Sequence, residues 1–311
     1  MAPAPEFELS TIPDQSGRVI IVTGGNTGLG KESIAALCKA GGKVYMASRT
    51  ESKALAAIDD IKKTLPNADL HYLHLDLMSF SSVSAFAKSF LEKESRLDLL
   101  MNNAGVMAMP YSRTQEGYEI QFGTNHMGHY LLTKLLLPAI PAGGRIVNLS
   151  SFGHNAATSG INISAADHAK QVDQLAAQLE SSSTWGRYGI AKLANILHAK
   201  ELARRYPQIT SVSCHPGVII SDLYNAFVGQ SRIMGLGVSA VKCFTTPLEK
   251  GAFNQLFCAT MPVENGGYYV PVGRLAEKAW WHEKPSKYAK DDKLAERLWE
   301  WSAEEVKKHG F

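Results

Sequence analysis

The 311-residue sequence is poor in cysteine: it has four, Cys38, Cys214, Cys243 and Cys258, and none form a CxxC pair. Their scatter, with no histidines at ligand spacing, argues against a zinc site and a disulfide framework and suits a reducing compartment. Neither sign of charge dominates, since 32 Lys and Arg against 29 Asp and Glu leave a net +3. With no basic run, and no basic stretch interleaved with aromatics, nucleic acid is not an expected partner. Long hydrophobic runs are missing too. The longest, around HYLLTKLLLPAI, is interrupted by Lys134 and is too short to span a bilayer. The first residues, MAPAPEFELSTIPDQSGR, carry acids and prolines but no apolar stretch of the signal-peptide kind. A cytoplasmic protein without a transmembrane segment is therefore expected.

What is present is a hydrophobic fraction of 45%, enough for a sizeable core, arranged as an alternation of short β-branched runs and helical stretches. RVIIVTGG, KVYMASR, LHYLHLDL, LDLLMNNAG, GGRIVNLSS and TSVSCHPG read as six strands. Helical stretches follow the first five, including residues 51–65, stopped before Pro66, and a longer one over about 114–138. Such alternation implies an α/β fold, a doubly wound parallel sheet with helices on both faces. With no linker or break in composition, one domain over residues 1–311 is expected. Two segments stand outside the rhythm. Residues 152–184 look like an inserted helical segment, with Ala165, Ala169, Val172, Ala176 and Leu179 at helical spacing. Residues 290–311 look like a C-terminal helix with Leu294, Leu298 and Trp301 on one stripe. Either could cover the domain, border a substrate mouth or meet a partner.

The chemistry begins at TGGNTGLG, which leaves the first strand and opens the first helix. Gly24, Gly28 and Gly30 permit a tight turn and close backbone approach, and the helix N-terminus offers unpaired N–H groups to a pyrophosphate. The spacing is GxxxGxG, not GxGxxG. A site for a bare ribose diol commonly has an acid about 20 residues further on. Here the second strand ends in Ser48 and Arg49, with Lys31 after the glycines. An arginine there can pair with a 2′-phosphate, which favours NADP(H) over NAD(H). Asp76, in HLDL, could accept from an adenine amino group or cap the following helix. NNAG, Asn102 to Gly105, leaves space for a ribose, and its amides could also tie strands together.

Tyr188 and Lys192 lie one helical turn apart in RYGIAKLAN and share a face. A free phenol has a pKa near 10. A neighbouring ammonium and a cationic nicotinamide would both lower it toward a useful range for proton transfer. His126, His129, His154, His198 and His215 lack carboxylates at matching spacing, so structural or pocket roles outweigh metal binding. His154, just past Ser151, is the one expected to touch substrate.

TGxxxGxG, NNAG, a helix asparagine, strand-borne serines, YxxxK and a proline-glycine turn occur in one fixed order between about Arg18 and Tyr269. That order resembles the short-chain dehydrogenase/reductase family in its non-extended branch. NTGLGKES, TNHMGHYLLT, RIVNLSS, YGIAKLANILHAKELARR and HPGVI are most similar to the retinol-dehydrogenase-like and protochlorophyllide-reductase-like clade. The resemblance implies a Rossmann-type fold and a catalytic set of Asn125, Ser151, Tyr188 and Lys192. Ser151 would polarise a carbonyl, Tyr188 would act as general acid/base, Lys192 would tune it and hold the ribose, and Asn125 would fix a water for a proton relay. The implied NADP(H) contacts are Gly24, Asn26, Thr27, Gly28, Leu29, Gly30, Arg49, Asp76, Leu77, Asn103, Ala104, Gly105, Tyr188, Lys192, Pro216, Gly217, Val218, Ile219 and Ser221. Ser150 is one residue out of register.

Departures are visible. The Ser151–Tyr188 interval is long, Arg187 and Trp185 precede the tyrosine, and NNAGVMAMP lacks the cysteine that protochlorophyllide enzymes use. Residues 218–250, rich in Phe, Ile, Met, Leu and Val, read as a substrate lid. With Met107, Met109 and Trp185 they imply a small hydrophobic or aromatic aldehyde, ketone or alcohol as substrate. A homodimer through the helices carrying Asn125 and Tyr188 is a further implication. The alternatives are an NADP(H)-binding sensor or interaction protein without turnover, and an isomerase or lyase on the same scaffold.

Overall fold

The computed structural model describes residues 7–164, 166–217, 248–279 and 283–311. Val218, Ile219, Ser221 and the expected lid over 218–250, apart from the turn Leu248–Gly251, lie outside the described residues, as does Ala165. One sheet of eight strands organises the chain, in the order β3-β2-β1-β4-β5-β6-β7-β8. The strands are β1 (Val19–Thr23), β2 (Lys43–Ser48), β3 (Leu70–His74), β4 (Leu99–Asn102), β5 (Arg145–Leu149), β6 (Thr210–Cys214), β7 (Tyr268–Val270) and β8 (Arg274–Leu275). Pairings from β3 through β7 are parallel, and β8 returns antiparallel to β7.

Burial on both faces explains why β1 reads as an unbroken VIIVT. Val19 and Ile21 join one core layer, while Ile20 and Val22 join the other. One layer lies under α1 (Gly28–Lys39) and α2 (Glu51–Thr64), the latter ending just before Pro66. The opposite layer lies under α3 (Phe80–Leu91) and the long α7 (Thr184–Arg205). The chain reaches β3 at one edge and re-enters as β4 beside β1. This reversal of direction opens a crevice beyond the carboxyl ends of β1 and β4.

Several expectations need correction. The helix expected over 114–138 starts only at Ile120, because Arg113 and Glu119 pair across a tight turn. It is α-helical over Ile120–Phe122 (α4), widens to a π turn over Gly123–Met127, and continues as α5 (Gly128–Leu136) before Pro138. The inserted segment forms α6 (His168–Ser181), but its inward stripe is Leu175 and Leu179 with Val172 half-buried. Ala169 and Ala176 face solvent, because the larger leucines gain more by burial. Strands β7 and β8 and helix α8 (Phe253–Thr260) were not anticipated at all. The tail forms α9 (Asp292–Lys308), with Leu294, Leu298 and Trp301 buried as expected. It packs on α7 and α5, where Trp299 stacks on His198 at 5.5 Å and meets Tyr130 edge-on at 5.2 Å. Among the described residues no helix is long and apolar enough to cross a membrane.

Candidate functional site

The glycine loop leaves β1 in a left-handed turn, with φ of +65° at Gly24 and +53° at Gly28. A methyl group at Gly24 would lie 2.9 Å from the Ala104 Cα, and one at Gly30 would lie 2.4 Å from the Gly24 carbonyl oxygen. Both glycines are therefore required by contact between the loop, the first turn of α1 and the segment after β4. Thr27 stands at the N-cap of α1 without a side-chain capping bond, so the first N–H groups of the helix are left for an acceptor. Asn26, Thr27 and Leu29 are partly or fully exposed around this turn.

A residue missed by sequence reasoning holds the two loops together. The Thr23 hydroxyl, buried at the end of β1, accepts from the Asn103 N–H at 3.0 Å and the Ala104 N–H at 2.9 Å. It also lies 2.9 Å from His129 Nε2. His129 Nδ1 sits 3.0 Å from the Asn125 carbonyl, which can only accept, so Nδ1 carries the proton. Burial pushes His129 down to about 4, so it is neutral and Nε2 accepts from Thr23. Asn103 Nδ2 donates to the Thr23 carbonyl at 2.7 Å, while Asn102 bridges Asn148 and Thr133 at 2.9 and 3.1 Å. The NNAG amides thus tie strands together, as one of the two expectations had it. Gln255 of α8, also unanticipated, donates to Ser33 Oγ at 2.7 Å and to Asn103 Oδ1 at 3.3 Å. No local pattern signalled Thr23 or Gln255.

The four residues expected to be catalytic converge on the carboxyl ends of β4 and β5. Ser151 lies two residues past the end of β5, and its Oγ accepts from the Gly153 N–H at 3.0 Å. A methyl group at Gly153 would lie 2.9 Å from Tyr188 Cε1 and 3.3 Å from Ser151 Oγ, so the hydroxyl and the phenol share one space. One at Gly105 would lie 3.1 Å from Asn125 Oδ1 and 3.4 Å from Lys192 Nζ. Lys192 Nζ donates to the Leu149 carbonyl at 3.0 Å and stands 5.7 Å from the Tyr188 ring centre. Asn195, a further residue not foreseen, donates to the same carbonyl at 2.8 Å. Ser150 donates to the Lys192 carbonyl at 2.7 Å, a bond that fastens α7 to β5 and leaves Ser151 as the serine in the cleft.

Two features of this group go beyond the expectations. Asn125 commits its side chain to one backbone neighbour: Oδ1 accepts from the Val106 N–H at 2.8 Å and Nδ2 donates to the Val106 carbonyl at 2.9 Å. It sits in the π turn, where the wider spiral brings the amide to the NNAG segment. Its amide is thus a clamp on residues 105–106, with one Nδ2–H and one Oδ1 lone pair beyond these two bonds. Tyr188, in turn, is not made acidic by the protein alone. Burial pushes the phenol up to about 12, a hydrogen bond with Ser151 opposing it, and burial pushes Lys192 down to about 8. At neutral pH the pair is a phenol beside an ammonium.

At the outer end of the crevice Arg49 is exposed and donates to Met78 Sδ at 3.8 Å. Lys31 instead pairs with Asp60, so it is partly spent. Asp76 Oδ1 accepts from the Met78 N–H at 3.0 Å, and the cap of α3 is Ser79, so Asp76 is not the helix cap. Leu77 is buried, with Gly128 packed against its carbonyl. Pro216 and Gly217 turn after β6 with Gly217 φ at +106°, pinned by Asn254 Nδ2 on the His215 carbonyl at 2.6 Å. His154 is a strut and not a substrate contact. Its Nδ1 donates to the Ser151 carbonyl at 2.8 Å and its Nε2 accepts from the Ser286 N–H at 3.1 Å. No group of three or more His, Cys, Asp or Glu suited to a metal occurs among the described residues.

A family model described as short chain dehydrogenase matches residues 18–179. The sequence is 38% identical to a short-chain dehydrogenase/reductase of Aspergillus calidoustus, covering 99% of this chain and 98% of that one. It is 35% identical to retinol dehydrogenase 12 of Homo sapiens, covering 93% of this chain and 86% of the relative. A crystal structure of an uncharacterised protein from Mycobacterium paratuberculosis matches with a TM-score of 0.74 at 29% identity, covering 97% of each chain. The fold is also that of the RhlG/NADP complex of Pseudomonas aeruginosa, at a TM-score of 0.64 and 20% identity over 84% of this chain and 96% of that one.

Proposed function

As the chain belongs to the short-chain dehydrogenase/reductase family of oxidoreductases, we propose that it transfers hydride reversibly between NADP(H) and a hydrophobic or aromatic ketone, aldehyde or alcohol. The observation that carries this reading is the meeting of Ser151, Tyr188 and Lys192 at a crevice floored by Gly24, Gly30 and Gly105. The residues fit the cofactor. The glycine cradle would be filled by a single methyl group, the start of α1 lacks a side-chain cap, and Arg49 has no carboxylate partner among the described residues. The free guanidinium favours a 2′-phosphate.

In this reading the glycine loop and the first turn of α1 hold the pyrophosphate, and Arg49 the 2′-phosphate. Gly105 leaves room for the ribose beside Lys192 Nζ, which keeps two N–H bonds beyond the one given to Leu149. Pro216 and Gly217 border the nicotinamide. When bound, the nicotinamide supplies the hydride and, once oxidised, a positive charge that favours phenolate over phenol. The Gly153 N–H donates to Ser151 Oγ, so the hydroxyl proton points away from it and would turn from Tyr188 to the substrate oxygen where negative charge grows. Tyr188 hands its proton to that oxygen during reduction and receives it back during oxidation. Asn125 positions Gly105 and Val106 beneath the site. The tail helix α9 lies on α5 and α7, the helices through which the resemblance implied a homodimer, and this supports a monomer, which sedimentation velocity tests.

The test is turnover of NADPH with a panel of apolar carbonyl compounds. Tyr188→Phe should lower kcat by about 10²–10⁴ while leaving NADPH affinity in place. Full turnover by that variant would refute the mechanism, and tight NADPH binding by the wild type with no turnover across the panel would favour a sensor.

A further inference from the structure

Seven large apolar side chains are exposed among the described residues, and four of them, Met109, Tyr111, Phe152 and Trp185, border the crevice. Phe152 follows Ser151 directly. Trp185 lies one turn before Tyr188, their rings edge-to-face at 6.0 Å. Met109 and Tyr111 end the segment that Asn125 clamps at Val106. A buried ion pair connects these pieces. Arg187 Nε stands 3.3 Å from Glu119 Oε1, with both side chains shielded from water. Its Nη1 donates to the Ser182 carbonyl at 2.6 Å, and its Nη2 to Thr184 Oγ1 at 3.2 Å and the Met109 carbonyl at 3.5 Å. The guanidinium also covers the Tyr111 ring at 5.5 Å.

Glu119 reaches the other side of the junction, where its Oε2 accepts from the N–H groups of Gln121 and Phe122 at 2.9 Å each. Gln121 completes the tie: its Oε1 accepts from the Ala108 N–H at 2.9 Å and its Nε2 donates to the Thr184 carbonyl at 3.0 Å. Ala108 is held at φ +56°, a left-handed conformation that a residue with a Cβ adopts only when its surroundings enforce it. Arg187 Nε and Glu119 Oε1 face each other as charges without a hydrogen bond, and it is the remaining bonds of the two side chains that fasten three chain segments at the mouth of one cleft.

We propose that Arg187 is a specificity-determining positioning residue. With Glu119 and Gln121 it holds Met109 and Tyr111 against the first turn of α7 beside Trp185, giving the cleft an aromatic lip that selects flat, extended carbonyl compounds over compact ones. This rests on the oxidoreductase reading above. Flat rings gain dispersion and ring-ring contact from such a lip, and a short aliphatic aldehyde does not reach it.

The test compares 2-naphthaldehyde with propanal as substrates for NADPH-dependent reduction. Arg187→Met should lower kcat/KM for 2-naphthaldehyde about tenfold or more, chiefly through KM, and change propanal by less than about threefold. NADPH affinity should stay unchanged, and Arg187→Lys should recover part of the loss. Equal losses with both aldehydes would show a merely structural role and overturn the proposal. Should Arg187→Met fail to fold, Tyr111→Ala and Trp185→Ala, both at the surface, must produce the same selectivity change. The lip is also read without turnover, by titrating 2-naphthaldehyde against tryptophan emission with NADP+ present. A Kd unchanged in all three variants overturns the lip. Tight naphthaldehyde binding weakened by the variants, with no reduction by the wild type, would instead overturn the oxidoreductase reading alone.

Discussion

Replacing Thr23 by Val removes one hydroxyl and keeps the shape. In the folded protein that oxygen accepts two backbone N–H groups, from Asn103 and Ala104, and donates to His129 Nε2. Thr23 and His129 are buried, and Asn103 and Ala104 are half-buried. A buried donor or acceptor left without its partner costs about 1–3 kcal/mol. The Asn103 N–H keeps the Met101 carbonyl at 2.9 Å, so two such groups, the Ala104 N–H and His129 Nε2, put the cost of Thr23→Val at about 2–4 kcal/mol. Thr23→Ser keeps the hydroxyl and loses only a methyl, at about 1 kcal/mol. The two variants should therefore differ by about 1–3 kcal/mol in urea unfolding, with Val the weaker. Because the lost bonds hold Asn103, Ala104 and Gly105 against the glycine loop, Thr23→Val should also weaken NADPH binding, read by nucleotide fluorescence. If the two variants unfold within about 0.5 kcal/mol of each other, the hydroxyl is not the hub, and the link drawn between β1 and NNAG is wrong.

Other outcomes follow from the same geometry. Gly30→Ala should cost about 1–3 kcal/mol and weaken NADPH binding, since its methyl would lie 2.4 Å from the Gly24 carbonyl oxygen; thermal unfolding with a nucleotide titration checks both. Arg49→Gln should weaken NADPH about 10- to 100-fold and leave NADH nearly unaffected, measured as paired dissociation constants. Stability should fall as the solution is acidified. Burial holds His129 and His215 at about 4 and His198 at about 3, all from 6.5, with His126 pushed well below as well. The unfolded chain takes up these protons below about 6.5 and the folded one does not until far lower. Their stabilisation is thus complete above pH 6.5 and is lost as pH falls toward 4, at about 1.4 kcal/mol per pH unit for each histidine. Urea midpoints across that range report it, and a flat profile would contradict the neutral, buried imidazoles.

The sequence by itself determined the parallel α/β architecture, the glycine loop and the positions of Ser151, Tyr188 and Lys192. It could do so because these signals are short in range: VIIVT is a strand buried on both faces, glycine spacing answers to local backbone contact, and YxxxK is one helical turn. Tertiary structure alone decided the rest. The inserted helix turned its leucines inward, and Ala169 and Ala176 outward, because a neighbouring surface chose the face. Strand β7 is only three residues long and exists because β6 offers it an edge. Thr23, Gln255, Asn254 and Glu119 act through partners 39 to 222 residues away. Asn125 spends its amide on Val106 because a π turn brings the two together. The phenol of Tyr188 is raised, not lowered, by the protein around it, since desolvation depends on how completely the chain closes over a group and not on which residue stands four positions along.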